Sequence, residues 1–247
     1  MELYAALPTT FYLVMVEIIV GTGVAMLLVE HRLEVGAGFL QFMGVSMGAV
    51  LTIAYFVAGD ESRALTAIAE ALALGYTVFA FAQRQRMRLA LNVAFTIAAS
   101  FALAVTIPSD AAMGPLIAVS VAAASLSLGA SMTGMLLGHW YLVSPMLSSF
   151  PLLKVTGLFL VGLGAQIGLL AWMGAAGVAH FDVLPIVMAM RVAFGLVFPF
   201  VMAAFVWYSC RIRAMRTATG ILYLAVGCVL MGDIAAKAYF FLTSVPV

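Results

Sequence analysis

Residues Thr217–Thr243 read TATGILYLAVGCVLMGDIAAKAYFFLT, and this run decides what kind of protein the chain can be. A helix needs about 20 consecutive, mostly apolar residues to cross a bilayer. This run supplies 27 and interrupts them only with Asp233 and Lys237. A charge at that depth costs at least about 2.5 kcal/mol even on the lenient insertion scales. The pair therefore needs a reason, and the rest of the chain shows that the setting is a membrane. Of 247 residues, 66% are hydrophobic and 9% charged, where soluble domains are nearer half and a quarter. Mean hydropathy is +1.19.

Seven further runs of the same kind fall near residues 9–30, 37–58, 64–83, 89–107, 114–138, 152–174 and 185–208. Short polar or turn-forming separators such as EHRLEVG, GDESR and CRIRAMRT divide them. The expected fold is an all-α polytopic membrane protein with eight transmembrane helices, and residues 1–247 form a single integral membrane domain. The net charge of +1, without any basic run, argues against nucleic acid as a partner. The partner implied by composition is the lipid bilayer. The first apolar run is too long for a cleaved signal and is expected to remain as a helix.

Short loops rich in Lys and Arg stay on the cytoplasmic side. The odd-numbered connections and their flanks hold Arg32, Arg84, Arg86, Arg88, Lys154, Arg211, Arg213 and Arg216. The even-numbered connections and the termini hold only Arg63, beside Glu2, Asp60, Glu61, Asp110 and Asp182. Both termini are thus expected on the non-cytoplasmic side of a cytoplasmic (inner) membrane. A faint internal similarity accompanies this: GTGVAMLLVEHRL against GASMTGMLLGHWYL, FLQFMGVSMGA against LLKVTGLFLVGLGA, and RQRMR against RIRAMR. It suggests two pseudo-repeated four-helix bundles, with halves 1–110 and 111–247, related by an axis along the membrane normal.

Five charged residues fall in the interior of the runs: Glu17, Glu70, Arg191, Asp233 and Lys237. At 1.5 Å per residue all five sit roughly 9–15 Å from the outer side. Charges that share a depth can neutralise one another, so one polar cluster is expected. Asp233 and Lys237 lie one turn apart on one helix face, and Arg191 is the natural anchor for Glu70 or Glu17. A second candidate region is GHWYLVSP, where His139, Trp140 and Tyr141 sit at the depth of interfacial aromatics; an imidazole and a phenol there could also hydrogen-bond a quinone carbonyl. His31 and His139 both end helices, and His180 lies in a loop, so no metal or haem site is expected. The sixteen methionines form no repeated MxxM or MxM array. Cys210 and Cys228 have no metal-ligand spacing and read as reduced, structural residues.

Two resemblances bear on function. GDIAAKAYFF resembles the retinal-lysine helix of microbial rhodopsins, which would place a counter-ion at Asp233 and the Schiff base at Lys237. The likeness covers ten residues, and that family's arginine-aspartate third-helix motif and aromatic sixth-helix pocket are missing. Separately, TGMLLGHWYLVSPMLSSFPLLKVTGLFLVGLGAQIGLL, with the eight-helix arrangement, resembles the membrane subunits of polysulfide-reductase-type oxidoreductases, the NrfD-like family. That resemblance implies a haem-free, quinol-interacting subunit or anchor of a respiratory complex, with quinone as cofactor and an iron-sulfur or other redox subunit as partner. Proton handling would fall to Glu17, Glu70 or Asp233, with Arg191 and Lys237 as their counter-charges. The rival expectations are a small-solute or proton-coupled transporter and a non-catalytic anchor or assembly protein.

The orientation is directly testable. With Cys210 and Cys228 replaced by Ala, Arg86→Cys should react with a membrane-impermeant maleimide only from the cytoplasmic side, and Glu61→Cys only from the opposite side.

Overall fold

The computed structural model describes residues 2–30, 35–107, 114–144, 146–178 and 184–247, with the backbone alone for 2–6. His31, Arg32, Asp110, Pro145, His180 and Asp182 lie outside the described residues. Eight helices long and apolar enough to span a membrane account for nearly all of it: α1 (Glu2–Glu30), α2 (Ala37–Val57), α3 (Asp60–Phe81), α4 (Gln85–Thr106), α5 (Gly114–Val143), α6 (Phe150–Ala175), α7 (Pro185–Arg211) and α8 (Met215–Thr243). There is no strand among the described residues. In hydrocarbon every backbone N–H and C=O must be satisfied within its own segment, and an unbroken helix does this.

Most helix ends fall within a few residues of the apolar runs. The larger differences have a common cause, since polar and aromatic residues at a run's edge continue the helix into the headgroup layer. α3 starts at Asp60 rather than near 64, with Asp60 and Glu61 in its first turn facing the positive end of the helix dipole. α5 runs on through His139–Val143.

The helices pack in two rings of four. In the first, α1 touches α2, α2 touches α3, α3 touches α4, and α4 returns to α1; the second repeats the order with α5, α6, α7 and α8. The rings meet mainly where α1 lies against α5, with α8 and α6 also touching α1. Their buried faces form one continuous apolar core that includes Tyr12, Phe39, Phe95, Leu137, Phe159 and Leu222.

The α1–α5 crossing is set by two glycines. A Cβ on Gly129 would overlap the Gly21 carbonyl carbon, and one on Gly21 would overlap the Ser125 carbonyl oxygen. This is the close, small-residue approach by which membrane helices gain packing. The α3–α4 and α7–α8 connections adopt one conformation. Gln83 and Arg213 each take the left-handed region, with φ of 54° and 58°. The N–H of Arg84 bonds the Phe79 carbonyl, as that of Ala214 bonds the Ser209 carbonyl, closing each helix in the same way. Both connections carry the arginines, so the molecule has a basic end, and eight crossings return the chain to the opposite end.

Replacing Gly129 by Ala should cost about 1–3 kcal/mol through overpacking. Gly164→Ala, where the new Cβ meets nothing within 4 Å, should leave thermal melting in detergent unchanged.

Candidate functional site: a buried charge cluster between the two rings

α7 is where the local sequence departs most from a regular helix. Pro199 has no N–H to give to the Gly195 carbonyl, and the preceding residues Arg191–Val197 widen into a π-helical segment, in which Phe198 N–H reaches back to Ala193 O. Such widened turns are often found at functional sites. The same segment crosses α8 at Gly195 against Gly232, with no room for a side chain on either. Arg191 and Asp233 are thereby brought to the same level between α7 and α8.

Lys237 is the centre of the cluster. Its Nζ donates to Glu17 Oε2 on α1 and to Asp233 Oδ2 on α8, each at 2.5 Å. Arg191 Nη2 donates to Gln166 Oε1 on α6 at 2.6 Å, and Gln166 Nε2 passes the chain on to Ser127 Oγ of α5 at 2.6 Å and to Ala123 O at 3.2 Å. Asp233 and Glu17 are the charged neighbours of Arg191. Glu17, Arg191 and Asp233 are at most 2% exposed and Lys237 is 7% exposed. Two acids and two bases share one site, which therefore has no net formal charge.

Four of the five charges predicted at one depth thus meet. Lys237, rather than Arg191, grips Glu17. Glu70 does not join them: it accepts a hydrogen bond from Thr52 Oγ1 at 2.6 Å, half-buried between α2 and α3. Equal depth did not mean equal azimuth. Gln166 escaped notice because a single neutral amide in an apolar run gives no charge signal, although its position on GLGAQIG is plain.

The aromatic trio disperses, since successive residues on a helix point about 100° apart. His139 is exposed, with Nδ1 3.3 Å from the Tyr223 hydroxyl. Trp140 packs on Phe39 and over Gly38. Tyr141 is buried, and its hydroxyl donates to the Ser148 carbonyl.

The sequence reading missed a second buried ion pair altogether, near the basic end. Glu30, closing α1, accepts from Arg88 Nε at 3.1 Å and from the Tyr76 hydroxyl. Arg88, taken from sequence as a loop residue, is 3% exposed, and Glu30 is fully buried. Both fall in the polar separators EHRLEVG and QRQRMR.

A cavity of about 40 Å³ touches Glu17, Arg191, Asp233 and Lys237, enough for ordered water and little else. Beside it lies a larger slot of about 460 Å³ between α4 and α5, walled by apolar residues with Ser100 and Ser125 among them. Ile107, Ile117 and Val121 line both spaces. No family model, curated protein or solved structure matches this chain.

Removing Lys237 alone leaves two buried carboxylates against one guanidinium. Lys237→Met should destabilise by about 3–5 kcal/mol. Lys237→Met combined with Asp233→Leu, which restores neutrality, should recover most of the lost melting temperature.

Proposed function

We propose that the protein is a haem-free, quinol-interacting membrane subunit that exchanges the quinol's protons with the Glu17–Asp233–Lys237–Arg191 cluster. One observation carries the reading: an apolar slot of ligand size shares a wall with a buried, charge-balanced pair of carboxylates. A quinol is an apolar tail on a small head bearing two hydroxyls, and the slot's lining suits the tail. The Ser125 hydroxyl supports the placing of the head, because it lines the slot, is 1% exposed and has no protein partner. An orphaned donor of this kind suits a quinone oxygen.

Oxidation of the quinol to the quinone releases two protons and two electrons. Glu17 and Asp233 are the acceptors for the protons, one at a time and through water in the small cavity; each proton leaves to bulk water before the next is taken, so that Lys237 and Arg191 again face two carboxylates. The electrons leave to a redox partner, of the iron-sulfur class by the family resemblance. Arg191 and Gln166 hold the arrangement from the α6–α7 side, so they are positioning residues.

Protein purified in mild detergent should carry co-extracted quinone. Val121→Trp, which fills the wall common to slot and cavity, should remove it. Glu17→Gln should keep quinone bound yet slow quinol oxidation by about 10²-fold or more, the usual worth of a positioned proton acceptor. A preparation that is free of quinone, yet takes up a small solute in a manner abolished by Asp233→Asn, would replace this reading with that of a transporter.

A further inference from the structure

α8 ends at Thr243, about 9 Å beyond Lys237 along the helix axis and away from the basic end. The chain then turns. Ser244 takes the left-handed region, with φ of 59°, while its N–H still bonds the Phe240 carbonyl at 2.7 Å. Val245 N–H bonds the Thr243 hydroxyl at 3.3 Å, and that hydroxyl donates in turn to the Tyr239 carbonyl at 2.8 Å. A left-handed residue just past the last helical one is a common way for a chain to leave a helix. Four extended residues span at most about 13 Å, enough to return from Thr243 to the level of Lys237.

The segment does return. Pro246 and Val247 are buried, Val247 to 4% exposure, and both line the cavity that holds Glu17, Arg191, Asp233 and Lys237. Val247 belongs to the apolar core, and the half-buried Val245 packs against it. Apart from Ile107, which directly follows α4, Pro246 and Val247 are the only residues lining that cavity that belong to no helix. The helical walls can part only by breaking packing along their length, whereas residues 245–247 can lift by releasing three side chains. Two apolar side chains thus lie against four charges. Protons cross between a buried carboxylate and bulk water along hydrogen-bonded water, and neither a valine nor a proline side chain can take part in such a chain.

We propose that residues 244–247 form a strap that seals the charge cavity at the end opposite the arginine-rich connections, so that the cluster exchanges protons, water or small ions with that aqueous phase when the strap lifts. Ser244 is its hinge. It is exposed, and a non-glycine residue holds a positive φ at a local cost, so the closed turn is the point at which the strap gives way. The strap follows from the geometry of the cavity and does not rest on the quinol reading. Where that reading holds, strap opening times the release of each proton from Glu17 or Asp233.

The test uses the full chain in phospholipid vesicles, with Cys210 and Cys228 replaced by Ala and a thiol placed in the cavity wall by Ala124→Cys, which leaves the four charges in place. The probe is a quaternary-ammonium methanethiosulfonate, which does not cross lipid and is too large for the closed cavity, so its reaction reports opening. Behind the native strap the thiol should react about ten-fold or more slowly than one at the exposed Glu61→Cys, as for an open form populated at about 10% or less. Ser244→Val sets a β-branched residue at a positive φ and should raise the rate about five-fold. Val247→Gly, which removes the apolar cover, should raise it too. Ser244→Gly relieves the turn and should leave the rate unchanged or lower. A thiol that reacts behind the native strap as fast as Glu61→Cys overturns the proposal. So does a rate that neither Ser244→Val nor Val247→Gly raises, or an equal rise in Ser244→Gly, which would mean that any change there loosens the bundle. Quinone content, measured on the same preparations, reports separately on the proposed quinol site.

Discussion

The ammonium of Lys237, held between the carboxylates of Glu17 and Asp233, is the interaction on which the rest of the arrangement depends. It joins α8 to α1, and so ties the second ring of helices to the first, at a point where neither acid nor base could remain unpaired in hydrocarbon. Moving such charges from water costs several kcal/mol per ion, and only close geometry with further hydrogen bonds offsets it. That requirement propagates outward. With two acids and only one ammonium, a second cation is needed, and Arg191 supplies it. Its guanidinium is held from the other side, where Nη2 donates to Gln166, anchored in turn to Ser127 and to a backbone carbonyl of α5.

Bringing four charges from three helices to one point demands close backbone approach, and the glycines and the proline provide it. Gly21 against Gly129 lets α1 seat directly on α5. Gly195 against Gly232 does the same for α7 on α8, within one turn of both Arg191 and Asp233. Pro199 forbids one backbone hydrogen bond, and the helix answers with the wider π turns that begin at Arg191. The π-helical segment and the close approach therefore coincide with the charges, on α7 and α8.

The eight helices were legible in the sequence because hydropathy and length are one-dimensional signals. The charged layer was legible for the same reason, since depth follows from counting residues. Azimuth does not, and Glu70 shows the consequence: it shares the depth of the cluster but turns toward Thr52. Glu30 and Arg88 were hidden by a different effect. Residues at the edge of an apolar run look like headgroup contacts; here Glu30 is the last residue of α1, and α4 begins at Gln85, ahead of its run, so that Arg88 is carried inward to meet it.

The two rings share a contact order and a turn conformation, but they do not share their charges. The first ring keeps its buried pair, Glu30 with Arg88, toward the basic end. The second keeps Asp233, Lys237 and Arg191 away from that end and borrows Glu17 from the first. This asymmetry puts α1 in both clusters at once, while the helix that follows the first ring, α5, stands away from α4 and leaves the slot between them. The slot's walls are apolar apart from Ser100 and Ser125, and behind Ile107, Ile117 and Val121 lies the balanced set of charges. Each wall residue left out of contact there forfeits packing that the fold could otherwise have used.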